Sequence, residues 1–83
     1  MKYRKKPIEI EALRLDGSNY KECLDFIGEA NVDLTLNYPN IRTREGVMMV
    51  DVGDWIIKEP FATNDRKYYP CKPDIFELTY DKV

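Results

Sequence analysis

Histidine is missing from this chain, and with it the commonest general base, proton shuttle and metal ligand. No Ser–His or Cys–His arrangement can be drawn, and neither a GxSxG elbow nor a Walker-type loop occurs. Cysteine is scarce: Cys23 and Cys71 lie far apart and form no CxxC pair. A zinc site would need both thiolates plus carboxylates, a rare donor set. Both cysteines are therefore read as reduced thiols, and no metal or cofactor is expected. The four glycines stand isolated and leave no glycine-rich cradle for phosphate. Long apolar runs are absent too, and none approaches the roughly 20 residues that span a bilayer. The opening MKYRKKPIEIEA is basic but has no apolar h-region, so no secretory signal is expected and the chain is placed in the cytosol.

What is present describes one small globular domain spanning residues 1–83. The composition is 43% hydrophobic and 34% charged, too apolar for a disordered chain and with a heavily charged surface. A domain of this size buries only about 60–65% of its extended-chain surface, so self-association would add needed burial and a homo-oligomer is expected. The net charge of −2 and a pI of about 5.1 give no global pull toward nucleic acid or anionic lipid.

Along the chain, Lys6 to Leu15 (KPIEIEALRL) begins with Ile8, Ile10 and Ala12 on one face and Glu9 and Glu11 on the other, the period of a half-buried strand. Leu13 and Leu15 then move the apolar set to the opposite parity, which predicts a bulge or strand end near Ala12. Asp16-Gly17-Ser18-Asn19 reads as a turn, with Asn19 as helix cap and Glu22 as its capping-box partner. Tyr20, Cys23, Leu24 and Ile27 follow at amphipathic helix spacing, and Gly28 suits a left-handed end.

Val32, Leu34 and Leu36 alternate with Asp33 and Thr35 as a second strand. Ile41–Arg44 is short and extended, Glu45-Gly46 is a hairpin turn, and Val47–Val52 (VMMVDV) and Trp55–Lys58 (WIIK) are strands about a turn at Gly53-Asp54. Glu59–Asp65 reads as a hairpin loop and Arg66–Tyr69 as a short strand. Pro73 and Asp74 start a terminal helix, whose core side is either Ile75, Leu78 and Thr79 or Phe76 with Tyr80. The order β-α-β-β-β-β-β-α gives the fold class: α+β, a small curved, mostly antiparallel β-sheet or open barrel, with one amphipathic helix and a short C-terminal helix.

Two groups invite a chemical reading. Asp51 and Asp54 flank Val52-Gly53, but aspartates there ordinarily form turns and strand ends. Cys71 lies between Lys67 and Lys72 near a helix start, a setting of cations and helix dipole that lowers a thiol's pKa. A nucleophile also needs a proton acceptor and an oxyanion site, and neither can be named. Cys71 is read as a packed thiol at a rigid corner, and no enzymatic activity is expected.

A binding reading has more to work with. Arg4, Lys5, Lys6, Trp55, Lys58, Lys67, Tyr69 and Lys72 would combine rings and cations if neighbouring strands brought them together. Such a face stacks bases and meets phosphates, which suits a nucleotide or a nucleic-acid single strand. The plainer alternative follows from alternation. Trp55 shares a face with Ile57 and Ile56 with Lys58, while Tyr68 is split from Tyr69, so Trp55 and one tyrosine enter the core and the lysines are solvated. The YRKK run equally reads as a lysine-rich strand edge that discourages pairing.

KYRKKPIEIEA at the start, VGDWIIK in the middle and YPCKPDIFELTY near the end, in that order, resemble a family of small uncharacterised proteins encoded by bacteriophages and prophages. The resemblance spans nearly the whole architecture and brings no catalytic residue with it. It departs after VGDWIIK, where a short glycine-containing turn is usual and this chain has Glu59-Pro60-Phe61-Ala62-Thr63-Asn64-Asp65-Arg66. The resemblance implies a non-enzymatic accessory protein in a bacterial cell, capturing a host protein or a nucleotide-like ligand, in keeping with counter-defence. Its alternatives are a small barrel binding single-stranded nucleic acid, against the acidic pI, and a structural or regulatory phage part acting by protein contacts alone.

Overall fold

In the computed structural model, residues 1–4, 9–43, 45–58 and 68–82 are described below. Five strands and two helices make an α+β fold: β1 (Glu11–Arg14), α1 (Tyr20–Ile27), a 3-10 turn (Glu29–Asn31), β2 (Asn40–Thr43), β3 (Gly46–Met49), β4 (Trp55–Lys58), β5 (Tyr68–Cys71) and α2 (Pro73–Thr79). All pairing is antiparallel, in two sheets of order β1-β4-β5 and β2-β3.

Register divides the three-stranded sheet into two faces. Leu13 lies opposite Ile56, and Ile56 opposite Pro70, while Lys58 lies between Glu11 and Tyr68. Directly paired residues point to the same side, so these form one face. Against it sit α1 and the β2–β3 hairpin. Leu15, Cys23, Ile27, Val32, Ile41, Val50, Ile56 and Tyr68 make one buried cluster, with Leu13, Leu24 and Phe26 packed on it. Phe26 meets Tyr68 edge to face, with ring centroids 5.6 Å apart.

The other face carries Ala12, Arg14, Trp55, Ile57, Tyr69 and Cys71. There α2 lays Phe76 flat on Trp55, centroids 4.2 Å apart and planes 7° from parallel, and Tyr80 follows at 5.1 Å from Phe76. The sheet is therefore sandwiched, and Ile56 and Ile57, adjacent in sequence, are both buried on opposite sides. The terminal helix chooses Phe76 with Tyr80 as its inner side and leaves Ile75, Leu78 and Thr79 exposed.

Several expectations change. The strand at Val32–Leu36 does not form, because the Asp33 carboxylate accepts from both the N–H and the hydroxyl of Thr35, and the Leu36 N–H turns back to the Asp33 carbonyl. Such side-chain bonds give the backbone an alternative to a ladder. Val32 is buried, but Leu34 is 60% exposed, so the alternation fails for burial beyond its first residue as well as for the element. The buried Asn40 holds this loop down. Its carboxamide bonds the Asp33 N–H and the carbonyls of Asp33 and Tyr38.

The first strand runs Glu11–Arg14 in unbroken register with β4, so the bulge or strand end expected near Ala12 does not occur; residues 6–8 of that stretch lie outside the described residues. Asn19 precedes α1 without capping it. Its oxygen accepts the Asp16 N–H and its amide reaches the Arg14 carbonyl at 2.8 Å and Glu22 at 3.4 Å, tying helix to strand. Gly28 ends α1 at φ 87° and ψ 140°, a conformation beyond the left-handed helical region that only glycine adopts readily. The hairpin of β2 and β3 forms, with Thr43 opposite Gly46. The loop expected at Glu59–Asp65 and the start of the strand expected at Arg66 fall outside the described residues; β5 runs from Tyr68.

Candidate functional site

Among the described residues of the expected ligand face, Lys58 stands apart from Trp55 and Tyr69. Lys5, Lys6 and Lys67 lie outside the described residues. Arg4 is exposed in the N-terminal segment. Trp55 and Tyr69 share the α2 face of the sheet, whereas Lys58 belongs to the opposite face beside Tyr68. Lys58 is paired across the strands with Glu11 at 3.7 Å. Trp55 is half-buried, and one side of its ring is covered by Phe76. Tyr69 is half-buried over Ile57 in the register.

Lys72 carries the most defined geometry. It stands between β5 and α2, in the position of the helix N-cap, and its ammonium crosses to the turn before β4. Nζ is 2.9 Å from Asp51 Oδ2 and 3.2 Å from Asp54 Oδ1. Asp54 is buried and its Oδ2 also accepts the Asp51 N–H at 3.0 Å, while the Asp54 N–H donates to the Asp51 carbonyl at 3.0 Å. Two carboxylates thus grip one ammonium, and the hydrogen bonds to Asp51, then Asp54, hold the Lys72 pKa above its ordinary 10.5. The turn owes its shape to Gly53 at φ 99°, whose carbonyl accepts Arg14 Nε at 3.1 Å.

This clasp escaped the sequence reading. Asp51 and Asp54 were legible as turn residues and Lys72 as a corner cation, but 18 to 21 residues separate them and no local period links them. The clasp also decides what Lys72 offers a ligand: its charge is already answered by more than one carboxylate.

Cys71 reverses an expectation. Burial pushes its thiol above the usual value of 9.0, and the nearby Asp54 and Asp74 push the same way. Lysine proximity and the helix start had suggested the opposite, but Lys72 spends its charge on the two aspartates. Cys23 is likewise raised, by burial first and then by Glu22 and Asp16. Both thiols should therefore alkylate with iodoacetamide several-fold more slowly than free cysteine at neutral pH, since the thiolate is the nucleophile. Mass spectrometry over time checks this, and a Cys71 rate at or above that of free cysteine would contradict it.

Among the described residues no group of three or more Cys, Asp or Glu is arranged to hold a metal, and no helix is long and apolar enough to cross a membrane. An open dish lined by Glu29, Asn31, Asp33, Thr35 and Arg42 mixes charges of both signs over the 3-10 turn. The space among Leu15, Cys23, Ile27 and Ile56 holds about 10 Å³, about one water-sized probe, and is core rather than a site. Compared with known proteins, the chain matches no family model, no curated protein and no solved structure.

Proposed function

We propose that this chain is a non-enzymatic binding protein, of the phage or prophage accessory type, that works by contact with another protein inside a bacterial cell. One observation carries the reading. Helix α2 is anchored by Phe76 on Trp55, with Tyr80 packed on Phe76, yet Ile75 is 52% and Leu78 86% exposed. These two sit three residues apart, so they are neighbours on one side of the helix. Asp74, one turn before Leu78, and Glu77, next to Leu78 in sequence, are also exposed. A rigidly held helix with an apolar spot and an acidic rim fits a partner surface that is apolar at its centre and basic at its edge.

The nucleotide and single-strand readings draw less support. The cations they need at positions 58 and 72 are paired with Glu11, Asp51 and Asp54, and the Trp55 ring is covered on one side. The absence of histidine and the raised thiol of Cys71 favour a binder over an enzyme.

The test is capture from bacterial lysate by the immobilised chain and by its Leu78→Asp variant. A partner held by the first and lost at least tenfold by the second is the expected result. Leu78 is so exposed that the substitution should leave the melting temperature nearly unchanged. Capture that ignores Leu78→Asp, or a thermal shift on adding mono-, di- or cyclic nucleotides, would overturn the protein-contact reading.

A further inference from the structure

We infer that the outer edge of β3 is the seat of a second copy of this chain, paired antiparallel about a two-fold axis at Met48. The reading goes beyond the α2 surface and does not depend on it.

Strand β3 is exposed along its whole length, although its sequence is almost wholly apolar. Val47, Met48 and Met49 are 41%, 43% and 54% exposed, and Val52 just beyond is 68% exposed. Among the described residues β3 pairs with β2 alone, so its other edge presents unmatched N–H and C=O groups. Exposed edges are ordinarily blunted by lysine, proline, an inward charge or a bulge. Residues 46–50, GVMMV, contain no charge and no proline, and pair with β2 without a bulge. Apart from its shortness, this edge carries none of these devices, and its apolar side chains favour a cover.

The area is in proportion. Val47, Met48, Met49 and Val52 together leave on the order of 350 Å² of mainly apolar surface exposed, with Val47 and Met49 on one face of the strand and Met48 on the other. A stable interface removes about 800 Å² per partner, somewhat over half of it apolar. Edge pairing draws on both faces for its apolar share, with the strand's own hydrogen bonds beside it.

A second copy fits for a geometric reason. Antiparallel pairing of a strand with itself requires a two-fold axis normal to the sheet, and that axis keeps each side chain on its own face. Paired residues must then have the same parity. Centred on Met48, Val47 lies beside Met49 of the second copy, and Met48 beside its own counterpart. Cross-strand pairs of large apolar side chains follow, with flexible methionines filling the gaps. No like charges meet in the paired segment. The next pair outward sets Glu45 opposite Asp51 of the second copy, and there the Asp51 charge is already answered by Lys72. The product is a four-stranded sheet, β2-β3-β3-β2, that leaves both α2 surfaces free.

Sedimentation velocity over a wide concentration range tests it. The chain should approach twice its 9.8 kDa mass, and Met49→Lys should weaken self-association at least about tenfold. Leu78→Asp should leave it unchanged, which separates failure here from failure of the α2 reading. Met49 is half-exposed, so an unchanged melting temperature of dilute Met49→Lys confirms that its fold is intact. For register, a short thiol-to-thiol cross-linker should join Met48→Cys chains in a Cys71→Ser background more readily than Val47→Cys chains. A monomer at every concentration, or a dimer indifferent to Met49→Lys, overturns the proposal. Preferential cross-linking through position 47 overturns the register.

Discussion

Ile41→Ala is expected to cost about 2–5 kcal/mol, the usual range for emptying a fully buried isoleucine position. Ile41 is the least exposed residue of the described core. It belongs to β2, the only strand of the hairpin with buried side chains, and it joins the hairpin to Ile56 and Tyr68 of the other sheet in one cluster. Removing it leaves a cavity where two sheets meet, and neither can collapse without breaking its own ladder. A domain of 83 residues has about 4–12 kcal/mol of stability in all, so this variant should sit close to unfolding. Urea denaturation gives the number. Met48→Ala is the control, because Met48 is the direct cross-strand neighbour of Ile41 yet stands in water. In dilute solution it should shift stability by less than about 1 kcal/mol. Equal losses in the two variants would mean that the hairpin is not held through Ile41.

Asp54→Ala is the second large effect, about 1–3 kcal/mol, the cost of removing a buried acceptor and leaving its donor unmatched. Asp54 serves two donors at once, the Asp51 N–H and the Lys72 ammonium. With it gone, the turn before β4 loses its internal tie and the start of α2 its anchor. A drop of about 4–8 °C in Tm per kcal/mol makes the loss easy to read in a thermal melt.

The same clasp predicts a pH dependence whose sign is fixed. The folded protein holds the Lys72 proton more tightly than the unfolded chain does. Its contribution is therefore complete below the ordinary lysine value of 10.5 and is lost as pH rises through the higher folded value. The stability difference between the protein and its Lys72→Met variant should be constant from neutral pH to about 10 and shrink above that. A difference that grew with rising pH would contradict the assignment.

Much of this fold could be read from residue order, and the exceptions have physical reasons. Helix α1 was legible because Tyr20, Cys23, Leu24 and Ile27 repeat at helical spacing, and Cys23 and Ile27 are its buried residues. Strand β4 was legible from WIIK, including the opposite faces of Ile56 and Ile57. The Val32–Leu36 stretch misled because alternation does not say whether a partner strand exists, and without one Leu34 stands exposed while Val32 is buried. There a carboxylate two residues from a hydroxyl decided the backbone. VMMV misled differently: apolar character predicts the wish to be covered, and within one copy of the chain β3 remains at the margin. The expected ligand face is divided where it can be seen, because Lys58 and Trp55 lie on opposite sides of the strand. Three positions apart they have opposite parity, a fact available from the sequence but outweighed there by composition. The clasp of Lys72 could not be read at all, since it depends on where two distant turns meet.

The pairing of β4 with β1 also sets an order of events in time. Glu11 finds Lys58 as its partner, and Arg14 finds Trp55, so the first strand made has to wait until more than two thirds of the chain exists. The β2–β3 hairpin has no such wait, because Thr43 and Gly46 close on each other within microseconds of release. During synthesis the hairpin thus closes before the three-stranded sheet, and it shows its apolar strand to the surroundings before the sheet that will hold it has been assembled. Whatever meets that strand first, a sister chain on a neighbouring ribosome included, meets it before the domain is complete.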